Sequence, residues 1–185
     1  MHSPGHLIQP AAYAPDLCRF LIDGCEQKAR KQATVVRPEG DVIHDIRHVE
    51  EAAISPGDKI WQWLHDDMMH RMRYANRLWG FDVVHMPQFQ YLVYPEGGHY
   101  GWHNDVIFDM AAEQRKISMT LLLDQPGDDF EGGAFELKTI GPDFQGLSNR
   151  GDIVFFPSFA EHQVCTVTKG LRRSIVAWFY GPRWR

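Results

Sequence analysis

The 185-residue chain is short of cysteine, of basic residues and of long apolar runs, and each shortage excludes something. Its three cysteines (Cys18, Cys25, Cys165) are odd in number and lack a C-x-x-C spacing. A disulfide framework or zinc knuckle is therefore not expected, and a reducing compartment is. Lys and Arg total 19 against 24 Asp and Glu, a formal net charge of -5. That balance argues against the strongly basic surface of a nucleic-acid binder. Positive charge does cluster locally in Arg183-Trp184-Arg185, which reads as a solvated tail. No apolar run approaches the roughly 20 residues that a membrane helix needs. The opening Met1-His2-Ser3-Pro4-Gly5-His6 has no basic region followed by an apolar core, so no secretory signal is expected. Together these features point to a cytoplasmic protein with no membrane and no nucleic-acid partner. Internal repeats and low-complexity linkers are also missing, so residues 1–185 read as one domain.

What is present divides into two textures. Residues 1–14, with Pro4, Gly5 and Pro10, read as an irregular lead-in. Pro15 fits the first position of a helix. Leu17, Phe20, Leu21, Cys25 and Lys28 trace a stripe along it, with Gly24 in its middle. Cys18 and Cys25 lie on one face and read as core. Short extended segments are expected at 34–37 and 42–49, around Pro38-Glu39-Gly40-Asp41; His44 and His48 there read as surface residues. A second helix is predicted from Ser55, with Pro56 in its first turn and Asp58 at the capping-box position. Ile60, Trp61, Leu64, Met68, Met72, Ala75 and Trp79 recur at the helical period, and Gly80 ends it. His65, Asp66, Asp67 and Arg71 fall on its solvated side.

After Gly80 come short β-rich runs at 89–94, 117–123, 134–137, 153–156, 164–167 and 174–180. Turn signals such as Pro95-Glu96-Gly97-Gly98 and Gly151-Asp152 separate them. Many short strands so spaced indicate a sandwich or barrel. The chain is thus mainly β with N-terminal helices: residues 1–80 give helical support and 81–185 a barrel core.

Chemistry concentrates in Tyr100-Gly101-Trp102-His103-Asn104-Asp105. Strand alternation makes i and i+2 project together, so His103 and Asp105 converge while Asn104 turns away. That is two-thirds of a 2-His-1-carboxylate facial triad, a donor set suited to non-haem Fe(II). His162, after the turn begun by Pro157, is the candidate second histidine. Ten residues on, Gly170-Leu171-Arg172-Arg173-Ser174 opens the last long strand. If Arg172 faces inwards, Ser174, Val176 and Trp178 share its face, and Arg173 points outwards with Ile175 and Ala177. A buried arginine in an apolar barrel is costly unless paired. Its planar fork suits a bidentate carboxylate, with Ser174 as a second donor.

H-x-D, a distal His, and Arg in G-x-R-x-S followed by Trp resemble the Fe(II)/2-oxoglutarate dioxygenases. The closer resemblance is to the prolyl-4-hydroxylase-like branch, with its PKHD-type hydroxylases. Gln90–Gly98, Arg115–Asp124, Phe130–Phe135 and Gly151–Ser158 echo the family's turns and strands over roughly residues 86–182. The resemblance implies a double-stranded β-helix (jelly-roll) barrel braced by two helices. It implies iron held by His103, Asp105 and His162, which are also the catalytic residues, and 2-oxoglutarate anchored by Arg172. Tyr94 is similar to a tyrosine lining the cosubstrate pocket, and Tyr100 and Trp178 to aromatics near the metal and substrate. The chain departs from hypoxia-sensing relatives at Leu122, where they carry a tyrosine that bonds 2-oxoglutarate. Ser174, Thr120 or Tyr94 are the alternatives for that donor.

By the same resemblance, Fe(II), 2-oxoglutarate and O2 are consumed in hydroxylating an aliphatic C–H, with ascorbate in support. Prolyl or other amino-acid side chains of a protein or peptide, or a small amino-acid-like molecule, are the implied substrates. Two other readings use the same residues. A metal-dependent hydrolase gives Arg172 no role, and a non-catalytic cupin-like binding barrel usually carries H-x-H. Residues 106–114 and 138–150 are candidate rim loops, and oligomeric state is not legible.

Overall fold

The structure is a computed structural model that describes residues 5–33, 35–36, 42–43, 46–55, 57, 59–106, 112–139, 144 and 146–184. The expectations placed on His2, Thr34, residues 37–41, His44, Pro56, Asp58, most of the 106–114 rim, part of the 138–150 rim and Arg185 lie outside the described residues.

The elements run in order β1 (Leu7–Gln9), α1 (Pro15–Glu26), β2 (Lys31–Gln32), β3 (Val35–Val36), β4 (Val42–Ile43), β5 (Arg47–His48), β6 (Glu50–Ile54) and α2 (Lys59–Ala75). A 3-10 turn follows at Asn76–Leu78, then β7 (Phe89–Tyr94), β8 (His99–His103), β9 (Glu113–Leu122), β10 (Phe130–Gly132) and β11 (Phe135–Leu137). The chain closes with β12 (Ile153–Pro157), β13 (His162–Val164), β14 (Val167–Gly170) and β15 (Arg172–Pro182). A seven-stranded sheet in the order β1-β12-β9-β15-β7-β6-β2 faces a four-stranded sheet, β11-β13-β8-β5. This is the expected double-stranded β-helix, with both helices on one face of the larger sheet.

Period-two alternation sorts the larger sheet into two buried faces. Ile117, Met119 and Leu121 of β9 pack with Ile175, Ala177 and Phe179 of β15 against Leu21, Trp61, Leu64 and Met68 of the helices. The intervening residues, Leu122 of β9, Leu92 and Tyr94 of β7, and Val154 and Phe156 of β12, turn to the space between the sheets. Ile175 and Ala177 therefore face the helices rather than solvent. The Met and Trp stripe of α2 is core, as its period predicts: Trp61, Leu64, Met68, Met72 and Ala75 are buried. Gly24 has a reason to be glycine, since a Cβ there would meet the Trp61 ring at 3.0 Å.

Several local expectations are corrected. The lead-in is not irregular throughout: Leu7–Gln9 pairs antiparallel with β12 as an edge strand. Helix α2 starts at Lys59 rather than Ser55 and ends at Ala75, and Gly80, at φ 66°, closes the exit after the 3-10 turn. Residues 42–49 hold two short strands rather than one, and Glu50–Ile54 forms a further strand paired with β7. The run at 164–167 divides between β13 and β14. Phe20 is 46% exposed, so the buried stripe of α1 passes instead through Cys18, Leu21, Ile22 and Cys25. The polar side of α2 is not simply solvated. Asp67 accepts a 2.5 Å bond from Tyr13 Oη, and Arg71 donates to Asp67, Gln9 and the Ala12 carbonyl. These bonds tie the N-terminal strap to the helix. The C-terminal tail is also docked, with Trp184 edge-on to Phe81 at 4.9 Å and Lys116 Nζ 3.8 Å from its ring centre.

Candidate functional site

His103 ends β8 and His162 begins β13, and the two pair directly across that ladder. Asp105 lies two residues beyond the end of β8 rather than within it. Its backbone N–H donates to the Ser158 carbonyl at 2.8 Å, which turns the carboxylate inwards without strand alternation. Asn104 is exposed, and its Oδ1 accepts from the Val106 N–H at 3.1 Å, so it shapes the turn that presents Asp105.

Nε2 of His103 lies 3.9 Å from Asp105 Oδ1, and Nε2 of His162 lies 3.5 Å from Asp105 Oδ2. Among the described residues, these three form the one group of three or more potential metal donors, with ligand atoms within 4.8 Å of one another. Each imidazole is oriented from behind. Nδ1 of His103 faces the Gly101 carbonyl at 2.7 Å, and Nδ1 of His162 the Ala160 carbonyl at 3.0 Å. Donation of Nδ1–H to a carbonyl leaves Nε2 as a lone-pair donor, the usual arrangement behind a metal-bound histidine. Burial, with the neighbouring His162, lowers the His103 pKa to about 4, so its Nε2 is free of a proton at neutral pH. Burial alone would push the Asp105 carboxyl up. His162, His103, Arg115 and the Ser118 hydroxyl together outweigh it and hold the carboxyl below its usual range.

Two serines that spacing does not single out position that carboxylate. Ser118 Oγ donates to Asp105 Oδ2 at 2.7 Å and lies 3.0 Å from Ser158 Oγ, both hydroxyls buried. Ser118 could have been placed by alternation, since it shares the interior face of β9 with Thr120. Ser158 sits in a turn and carries no periodic signal.

Arg172 is 1% exposed, which leaves its guanidinium almost wholly out of water. Its Nη1 donates to Ser174 Oγ at 3.3 Å, its guanidinium lies 5.2 Å from the Tyr94 ring centre, and its Nε meets no acceptor among the described residues. Burial lowers its pKa, with Tyr94 and Asp124 pulling the other way. A buried guanidinium with no close carboxylate is a costly group for the fold and a ready one for an anionic ligand. Gly133, at φ 60°, makes room for it: a Cβ there would lie 2.9 Å from Arg172 Cδ. Arg173, one residue on, is the opposite case. It grips the buried Asp124 with Nε at 2.9 Å and Nη2 at 2.7 Å.

One cavity of about 250 Å³ joins these groups. His103, Asp105, His162, Arg172, Ser174, Tyr94, Thr120, Tyr100 and Trp178 all line it. Tyr100 stacks on His103 with ring centres 3.5 Å apart. Leu122 pairs with Ser174 across the sheet, on the interior face. Arg47, Glu51, Gln90 and Arg115 also line the cavity and were not anticipated. Arg115 lies 3.9 Å over the Trp178 ring and donates to Tyr180 Oη at 3.0 Å. The donor set fits a divalent cation such as Fe(II), and the lone buried arginine fits the far carboxylate of a dicarboxylate.

Residues 89–180 match the model of the family described as the 2OG-Fe(II) oxygenase superfamily. The chain belongs to this superfamily. A PKHD-type hydroxylase from Teredinibacter turnerae is 34% identical over 101 residues, covering 52% of this chain and 43% of that protein. One from Idiomarina loihiensis is 36% identical over 85 residues, covering 46% and 38%. The chain thus spans less than half the length of these curated relatives. Among solved structures, a Pseudomonas putida prolyl-4-hydroxylase superposes with a TM-score of 0.70 at 21% identity, over 98% of this chain and 95% of that one. A viral collagen prolyl hydroxylase from Paramecium Bursaria Chlorella virus-1 gives 0.71 at 15% identity, over 96% of each. At such identities the likeness shows the fold of the superfamily.

Proposed function

We propose that the chain is an Fe(II)- and 2-oxoglutarate-dependent dioxygenase that hydroxylates an aliphatic C–H. The observation that carries this reading is the pairing, in one cavity, of a His-Asp-His donor set with a buried arginine that forms no ion pair among the described residues. Nε2 of His103, Nε2 of His162 and the Asp105 carboxylate would hold the iron. Arg172 and Ser174 would take the far carboxylate of 2-oxoglutarate, with Tyr94 and Thr120 along its length. When bound, the iron and 2-oxoglutarate supply the oxidation: O2 gives one oxygen atom to the substrate and one to succinate as CO2 leaves. Ser118 and Ser158 hold Asp105 in place, and Tyr100 and Trp178 flank the substrate.

The substrate class follows the relatives. The likeness to a prolyl-4-hydroxylase and a collagen prolyl hydroxylase supports a prolyl or other amino-acid side chain in a protein or peptide as the substrate. In this reading residues 1–185 act as one domain in the cytoplasm. A hydrolase using the same metal would leave Arg172 without a purpose. Incubation with Fe(II), 2-oxoglutarate and ascorbate should release succinate, slowly without the prime substrate, and a +16 mass shift across a peptide and metabolite panel would identify the acceptor. Absence of 2-oxoglutarate binding by calorimetry would overturn the assignment.

A further inference from the structure

Gln90 of β7 and Arg47 of β5 bring to the cavity polar atoms that neither the iron nor the 2-oxoglutarate role uses. Gln90 lies opposite Val176 of β15 and Ala53 of β6. Val176 in turn pairs with Thr120, one row along the sheet from the Trp178–Ser118 pair that carries the Ser118–Asp105 bond. Gln90 therefore stands close to the row of the donor set, whereas Arg172 ends the cavity opposite Tyr94. Oε1 of Gln90 is sealed from solvent and meets no hydrogen-bond partner among the described residues.

Arg47 reaches the same cavity from β5, at the edge of the facing four-stranded sheet. Its Nη2 contacts Glu51 at 3.3 Å, and its guanidinium lies 4.7 Å over the Tyr100 ring. Its Nε, like Gln90 Oε1, is buried and without a partner among the described residues. Buried polar atoms are normally satisfied, and each that is not lowers stability. One lone acceptor and one lone donor in a single cavity, one from each sheet, is a poor arrangement for packing and a suitable one for a ligand carrying both groups. The charge state narrows the class. Glu51 already offsets Arg47, so this pair is not a second carboxylate anchor like Arg172.

We propose that Gln90 and Arg47 form a subsite that reads amide groups of the substrate. Oε1 of Gln90 accepts a hydrogen bond from an amide N–H, and Nε–H of Arg47 donates to an amide carbonyl. The inference rests on the hydroxylase reading above and assigns these two residues to specificity rather than to the chemistry. An ester in place of the amide keeps the carbonyl and loses the N–H, so Gln90 discriminates between the two.

The test uses the full chain, 15N-labelled and loaded with diamagnetic Zn(II), titrated with N-methylacetamide and with methyl acetate. The expected result is a saturable shift of the Gln90 side-chain amide and Arg47 Nε–H signals, with the amide binding about fivefold to tenfold tighter than the ester. Gln90→Met should erase that difference while keeping 2-oxoglutarate affinity and an unchanged or raised Tm, because it removes a lone buried acceptor. Equal affinities for the two probes, no saturable shift at the solubility limit of either, or a Tm lowered in Gln90→Met would each overturn the subsite. Failure of 2-oxoglutarate to bind in a parallel titration would instead overturn the hydroxylase reading, because the amide–ester comparison needs no cosubstrate.

Discussion

Adjacent arginines on β15 show how much one residue's orientation decides. Arg172 points between the sheets and forms no ion pair among the described residues, whereas Arg173 grips Asp124. Arg172→Ala should weaken 2-oxoglutarate binding about 100-fold, the usual consequence of losing a buried charge that meets a carboxylate, measured by calorimetry. Alternation by itself makes Arg173 a bystander, and the structure changes that expectation. Arg173→Ala should leave 2-oxoglutarate affinity alone but cost about 2 kcal/mol of stability in urea unfolding, because Asp124 loses its partner. Ser118→Ala should lower metal affinity about 10–100-fold through the loosened Asp105 carboxylate, read by Co(II) absorption titration. The donor triad and Arg172 were legible because histidine, aspartate and arginine carry their chemistry in a spacing. The serines were not, since hydroxyls are common and their role here depends on which strand lies next to which.

At the scale of elements, the long strands β7, β9, β12 and β15 announce themselves through β-branched and aromatic residues, as does α2 through its 3.6-residue period. The short strands do not. His99–His103 contains glycine and two histidines, and it is a strand because His162 and Tyr100 sit in a ladder with their neighbours. Leu7–Gln9 is a strand only because β12 offers it an edge. Gly151, at φ 85°, ties that strap down: its carbonyl accepts from the Tyr13 N–H at 3.2 Å, and a Cβ on Gly151 would collide with the Tyr13 carbonyl. Gly151→Ala should therefore destabilise the protein by about 1–3 kcal/mol and raise amide exchange along residues 7–13.

For the whole molecule, the candidate donors His103 and His162 come from neighbouring strands far apart in sequence, so a bound metal and the fold should be linked. Chelation by EDTA should lower Tm relative to protein with saturating Fe(II) under anaerobic conditions or Mn(II), by an amount that grows with the logarithm of free metal. Failure of Tm to respond would mean that the donor set holds no ion in solution. The composition of the candidate site is written in the chain: a histidine and an aspartate two apart, a distal histidine, an arginine on the inward face, and a helical segment ahead of a β-rich one. Those follow from period and chemistry, which are local. That Ser118 and Ser158 hold Asp105, that Arg173 serves the fold, and that Gln90 and Arg47 share a cavity with His103, Asp105 and His162 emerge only from the folded arrangement. Such facts depend on register between strands far apart in sequence, and register is set by which face of each strand packs against which partner in the folded molecule.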